Sequence, residues 1–121
     1  MMLECLVVAV GGAAGAVCRY LVGLIPLGTQ EGFPIKTLII NVVGAFLIGI
    51  ISAVAEKYSV SPLLVLALKT GVCGGFTTFS TFALETDQLL QSGNYMLVIA
   101  YILSSVLLSI GAVFLAQTMI Q

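Results

Sequence analysis

Apolar residues along the chain fall into four long segments separated by short polar stretches. A bilayer core of about 30 Å requires about 20 mostly apolar residues per helix, and each of the four segments reaches that length. The pattern predicts membrane helices over about residues 3–25, 35–55, 62–90 and 95–118. The chain is therefore expected to be an all-α membrane protein with one four-helix transmembrane domain over residues 1–121 and no soluble domain.

Prolines and charged residues indicate where these helices begin and end. The first helix is expected to end before Pro26, and the polar connector LGTQEGFP follows it. Ser61 and Pro62 are residue types favoured at the N-cap and at the first helical position, which predicts the start of the third helix. The N-terminal segment has Glu4 as its only early charge and lacks the positive region of a signal peptide, so we expect a membrane helix there.

The third segment contains an interruption, the run GVCGGFTTFSTF at residues 71–82. Each glycine weakens a helix by about 1 kcal/mol relative to alanine, so the pair Gly74 and Gly75 predicts a break at 74–77 near the membrane midplane. Non-helical backbone at that depth persists only where it is buried in protein or lines a cavity. The break is therefore either a kink that permits close packing or an unwound segment that serves an ion. The many hydroxyl groups nearby favour the ion.

Small residues are grouped on the first two helices. The first helix carries the run Gly11–Ala16, and the second carries Gly44, Ala45 and Gly49. Such surfaces let helix backbones approach closely, as in GxxxG packing. Tight packing of four short helices leaves little room for a wide pore within one subunit, so we expect an oligomer.

Composition supports a lipid environment and excludes several kinds of function. Hydrophobic residues make up 60% of the chain and charged residues 7%, against roughly 25% charged in soluble domains. The net charge of −1 gives no reason to expect nucleic acid. The chain has no histidine, the commonest general base and metal ligand, so an enzyme is not expected. Cys5, Cys18 and Cys73 form no CxxC pair and are expected to be small buried apolar residues.

Basic residues do not fix an orientation in the membrane. Lys57 and Lys69 lie toward the side that holds both termini, and Arg19 and Lys36 lie toward the other side. The positive-inside rule therefore gives almost no preference. Either the chain inserts in both directions, which permits dimers of one upward and one downward copy, or other signals fix one orientation.

Polar side chains within the helices suggest a lining for an anion. Tyr101, Ser105 and Ser109 are spaced four residues apart and share one face of the fourth helix; we call them the polar track. Thr37 and Asn41 form a similar pair on the second helix. Serines in membrane helices often bond to their own helix instead. Hydrogen-bond donors are nevertheless plentiful, while Glu4 and Glu85 are expected near helix ends.

Phe76, Phe79 and Phe82 recur every three residues on roughly one face of the third helix. Apolar packing is the ordinary interpretation of such spacing. A phenyl ring also has a positive edge, against which a small anion could lie without meeting a charge. Binding of that kind would be weak enough to allow rapid release, as conduction requires.

Three segments together resemble the CrcB/Fluc family of microbial fluoride channels. They are GGFTTFSTF in the third helix, GGAAGAVCRY in the first and NVVGAFLIGI in the second. The resemblance covers essentially the whole chain, and the first of these runs is specific to the family. It implies an antiparallel, dual-topology homodimer with two pores in the inner membrane of a bacterium. It also implies passive fluoride export that confers fluoride resistance.

The resemblance also implies roles for particular residues. The fluoride pathway would comprise Phe79, Phe82, Asn41, Tyr101, Ser105, Ser109 and Thr37. Backbone carbonyls of Gly74 and Thr77 from both subunits would hold a structural sodium ion that is not transported. Arg19 would lie at an aqueous vestibule and raise the local anion concentration. Glu85 matches an acid of the family beyond the phenylalanine motif, with no role assigned.

Two other classes of membrane protein remain as alternatives. A small multidrug-type exporter also has four helices, but it requires a membrane-embedded carboxylate in its first helix, and none occurs between Glu4 and Gly23. A packing subunit of a larger complex would use the polar residues only to hold helices together. Fluoride conduction by the purified protein would exclude the second alternative.

Overall fold

The computed structural model describes residues 1–27 and 32–121, and within those ranges the chain is helical with no strand. The elements are α1 (Met2–Gly23), α2 (Ile35–Tyr58), α3 (Pro62–Leu66), a π-helical segment (Ala67–Cys73), α4 (Gly74–Phe76), α5 (Phe79–Gln91) and α6 (Tyr95–Ile120). The elements from α3 to α5 follow one another as a single bent span. Most of the polar connector LGTQEGFP, residues 28–31, lies outside the described residues.

Among residues 1–27 and 32–121, four spans are long and apolar enough to cross a membrane, which confirms the predicted all-α, four-helix organisation. They are Met2–Gly23, Ile35–Tyr58, Pro62–Gln91 and Tyr95–Ile120. The predicted ends differ from these by at most three residues. The chain is therefore a multi-pass membrane protein.

The turn after α2 differs from its prediction in one detail. Ser59 ends α2 in the left-handed region, with φ of 51°. Ser61 lies at the N-cap of α3 and Pro62 follows it, as predicted, but the Ser61 side chain makes no capping hydrogen bond.

The break in the third span lies just beyond the glycine pair. Gly74 and Gly75 are both helical in α4, and Gly74 has φ −63° and ψ −36°. The extended residues are Thr77, with ψ 157°, and Thr78, with ψ 118°. The expectation that the glycines unwind the helix is therefore wrong. Gly75 instead permits close packing, because a Cβ atom there would overlap the carbonyl oxygen of Gly12 in α1.

Small residues mediate the main helix contacts, as predicted. α1 packs against the π segment and α4, while α2 packs along α6. A Cβ atom at Gly11 would lie 2.5 Å from the carbonyl oxygen of Ala67, and one at Gly49 would lie 2.8 Å from the Cβ of Ala116. A larger residue would overlap backbone at Gly11 and the Ala116 side chain at Gly49.

Few apolar side chains are buried, and one cluster of them forms a small core. Leu38, Leu89 and Tyr101 form its centre. Many other large apolar side chains are exposed on the chain, as expected for helices that face lipid or a second subunit. Cys73 is buried, but Cys5 and Cys18 are exposed. The prediction that all three cysteines are buried is therefore wrong for two of them on the single chain.

Candidate functional site

A cavity of about 370 Å³ lies beside the break, where α2, the third span and α6 meet. Its lining includes Asn41, Gly44, Ala45, Ile48, Cys73, Gly74, Thr77, Thr78, Phe79, Phe82, Ser105, Val106 and Ser109. The structure thus brings together five of the predicted pathway residues and both predicted sodium ligands. Thr37, Tyr101 and Arg19 lie outside this cavity.

Two aromatic rings, those of Phe79 and Phe82, line the cavity, and Tyr101 packs against Phe82 from outside it. The centroids of Phe79 and Phe82 are 5.5 Å apart, and those of Phe82 and Tyr101 are 5.0 Å apart. Phe79 is 79% exposed although it lines the cavity. Phe76 precedes the break in α4 and is absent from the residues that line the cavity, because the break interrupts the three-residue spacing.

The polar track lies on one face of α6, as its spacing predicts. Tyr101 is fully buried and Ser105 is 8% exposed, while Ser109 is half-buried. The Ser105 hydroxyl oxygen is buried and has no hydrogen-bond partner within the described part of the chain, although the residue lines the cavity. Leaving a buried polar group unpaired costs about 1–3 kcal/mol. A ligand that accepts the hydroxyl hydrogen would remove this cost.

Tyr101 differs from the serines because its hydroxyl already has a protein partner. It donates to Oε1 of Glu85 at 3.1 Å. Glu85 was expected near a helix end, but it lies within α5 and reaches the fully buried side chain of Tyr101. Sequence spacing gave no signal for this pair, because the two residues are on different helices.

Asn41 lines the cavity and also contacts the backbone at the break. Its Oδ1 accepts a hydrogen bond from the Thr78 N–H at 2.8 Å, and its Nδ2 donates to the Thr78 carbonyl at 3.0 Å. The Thr78 hydroxyl in turn caps α5 by accepting from the Thr81 N–H at 3.2 Å. Sequence reasoning missed Thr78, although a threonine before a helix start is a common capping signal.

A second cavity of about 340 Å³ holds charged residues. Arg19, Lys36 and Glu85 line it together with Tyr20, Gly23, Leu24, Thr37, Ile40, Thr78 and Thr81. This confirms that Arg19 and Lys36 lie on one side of the protein. The Arg19 Nε donates to the carbonyl of Gly75 at 3.2 Å, so this side chain also supports the segment before the break.

The break leaves two carbonyl oxygens suited to a hard cation. Among the described residues no hydrogen bond reaches the carbonyl of Gly74 or Thr77. Carbonyl oxygens freed in this way coordinate sodium in broken membrane helices. The donor set present therefore fits the predicted ion, with two oxygens from one chain.

Comparison with known proteins places the chain in a family. The model of a family described as CrcB-like protein, Camphor Resistance (CrcB), matches residues 6–117. The chain belongs to the CrcB family. This agrees with the resemblance of the three quoted segments and does not favour a multidrug-type exporter.

Curated CrcB relatives match over most of their length. A protein of Saccharophagus degradans is 44% identical over 92% of this chain and 84% of its own. Proteins of Nitrobacter winogradskyi and Rhizobium meliloti are each 48% identical, over 88% and 93% of this chain and 86% and 92% of their own. All three are named fluoride-specific ion channel FluC, which describes channels and not enzymes.

Proposed function

We propose that this chain forms a fluoride-selective channel in the inner membrane of a bacterium. Fluoride would leave the cell passively, which would lower its cytoplasmic concentration and confer resistance. The names of the relatives support the choice of ion. The observation that carries the pathway is the buried, unpaired hydroxyl of Ser105, which lines a cavity bordered by aromatic rings.

The proposed pathway follows Ser105 and Ser109 along the face of α6, between them and the rings of Phe79 and Phe82. Hydroxyl groups donate to the anion and replace part of its hydration, while ring edges supply weak positive potential. Several weak sites in series allow the ion to enter and to leave. Asn41 would contribute the Nδ2 hydrogen that Thr78 does not use.

Three further residues have supporting roles in this proposal. Tyr101 and Thr37 would bound one end of the path, with the tyrosine ring held by its hydrogen bond to Glu85. Arg19 would lie at a vestibule together with Lys36, where positive charge raises the local concentration of anions.

We propose that two copies assemble as an antiparallel homodimer with two pores. Phe79 lines the cavity yet is 79% exposed, so the single chain leaves a wall of the cavity open. A second copy would cover this ring and complete the wall. The equal numbers of basic residues on the two sides are compatible with insertion in both directions.

Carbonyls of Gly74 and Thr77 from both copies would hold a structural sodium ion. When bound, the ion would offset the partial negative charges of these carbonyl oxygens and so stabilise the break. The ion would not be transported. The residues of the chain would still perform the selection of the anion.

Fluoride efflux from liposomes that hold only this protein tests the proposal, with chloride as the control ion. We expect Phe79→Ile and Phe82→Ile to abolish fluoride efflux while the protein remains a folded dimer in detergent. Absence of fluoride efflux from the unaltered protein would contradict the channel function. Full efflux through both variants would contradict only the assignment of the pathway.

A further inference from the structure

Two backbone N–H groups at the break bond to side chains where a continuous helix would use carbonyls. In an α-helix the N–H of each residue bonds to the carbonyl four residues earlier. The N–H of Thr78 would therefore bond to Gly74, and the N–H of Thr81 would bond to Thr77. Instead, Thr78 N–H donates to Oδ1 of Asn41 at 2.8 Å, and Thr81 N–H donates to the hydroxyl of Thr78 at 3.2 Å.

The carbonyls that lose their donors are those of Gly74 and Thr77, the two proposed sodium ligands. We infer that Asn41 and Thr78 are positioning residues for the sodium site. Each accepts the N–H that would otherwise occupy one ligand oxygen, so each keeps one carbonyl available to the ion. This inference rests on the proposed function and adds to it a physical cause for the geometry of the site.

The carbonyls on either side of Gly74, by contrast, accept hydrogen bonds. The Cys73 carbonyl accepts from both the N–H and the hydroxyl of Thr77, at 3.0 and 2.9 Å. The Gly75 carbonyl accepts from Arg19 at 3.2 Å. Side chains and backbone thus occupy the carbonyls on either side of Gly74 and leave that oxygen unpaired.

The geometry of Asn41 makes its contribution specific. Its amide bonds to both the N–H and the carbonyl of Thr78, so the two contacts fix which amide atom faces the N–H. An aspartate at this position would keep an acceptor for the N–H but lose the donor. A leucine of similar size would keep neither.

The sodium dependence of stability tests the inference without relying on transport. The melting temperature of the full-length protein in detergent is measured as sodium replaces potassium at constant ionic strength. For Thr78→Val we expect the half-saturating sodium concentration to rise about fivefold, the factor that corresponds to loss of one capping hydrogen bond. Thr78→Ser should restore the original value. Thr118→Val removes a hydroxyl that bonds only within the last turns of α6, and it should leave the value unchanged.

A second pair of variants, at Asn41, tests the effect on the Gly74 carbonyl. Asn41→Leu should also raise the half-saturating sodium concentration, because the Thr78 N–H then returns to Gly74. Asn41→Asp should leave this concentration at or below the original value, while its fixed negative charge slows fluoride efflux. This pair keeps the inference testable if Thr78→Val fails to fold.

The possible outcomes separate the inference from the proposed function. If the unaltered protein conducts fluoride and responds to sodium, an unchanged half-saturating concentration in Thr78→Val and Asn41→Leu overturns the inference alone. The same conclusion follows if these variants lower the melting temperature equally in sodium and in potassium, since that marks a purely structural role. Fluoride conduction without any sodium response overturns the proposed ion site and the inference together.

Discussion

Ser105→Ala is expected to stabilise the protein and slow fluoride efflux at the same time. Ser105 is 8% exposed on the chain, and its buried hydroxyl has no partner among the described residues. Most buried polar groups stabilise the fold through a hydrogen bond, so their removal lowers stability. Here the removal eliminates an unpaired group, and the two effects should therefore have opposite signs.

The size of both effects follows from two free energies: the cost of burying a hydroxyl without a hydrogen-bond partner, and the gain from a hydrogen bond between that hydroxyl and a charged fluoride ion. Removing a buried, unpaired hydroxyl should raise the free energy of unfolding by about 1–3 kcal/mol. A hydrogen bond to a charged group contributes about 1.5–3 kcal/mol, and each 1.4 kcal/mol corresponds to a factor of ten. We therefore expect fluoride efflux to fall by about 10- to 100-fold when the Ser105 donor is lost.

Ser104→Ala provides the matched control on the adjacent position of the same helix. The Ser104 hydroxyl already donates to the carbonyl of Tyr101 at 3.2 Å, so it is not available to an ion. Efflux is measured with a fluoride electrode from liposomes, and stability is measured by thermal unfolding in detergent. Normal efflux through Ser105→Ala would refute the reasoning, as would a loss of stability equal to that of Ser104→Ala.

Two further predictions concern helix packing and the partly buried carboxylate of Glu85. Gly75→Ala should lower the free energy of unfolding by about 1–3 kcal/mol, because the added Cβ would overlap the backbone of α1. Gly111→Ala is the control: its added Cβ would have no neighbour within 4 Å, so the melting temperature should not fall. Tyr101→Phe removes the donor to Glu85 and should cost about 1.5–3 kcal/mol in unfolding experiments. Glu85→Gln in the same chain should recover part of that loss, and a fully additive effect of the two changes would contradict the pairing.

Hydrophobic segments and small-residue patterns predicted the fold well. Segment length alone sets the number of membrane helices, and the glycines of α1 and α2 lie at close helix contacts as expected. The position of the break was less well predicted. Glycine weakens a helix in general, but Gly75 is needed for contact with α1, and the extended backbone is at Thr77 and Thr78. Sequence spacing alone does not distinguish these two uses of glycine.

The candidate site was predicted as a set of residues but not as a set of contacts. The four-residue spacing correctly placed Ser105 and Ser109 on one face. The pairing of Tyr101 with Glu85, and that of Asn41 with Thr78, join residues 16 and 37 positions apart. Such pairs depend on how separate helices pack, which no local pattern specifies.

Hydrogen-bond partners show that the hydroxyl groups near the cavity are not equivalent. The Thr77 hydroxyl donates to the Cys73 carbonyl, and the Thr78 hydroxyl donates to the Thr81 side chain. The Tyr101 hydroxyl donates to Glu85. Each of these hydroxyl hydrogens already forms a hydrogen bond within the protein.

Ser105 and Ser109 differ from that group, since neither hydroxyl has a partner in the described part of the chain. Both line the main cavity. An anion that enters the cavity therefore meets two free donors one helical turn apart, while the remaining hydroxyls hold the break and the acid in place. If the proposed pathway is correct, loss of either serine should slow fluoride efflux more than loss of the tyrosine hydroxyl does.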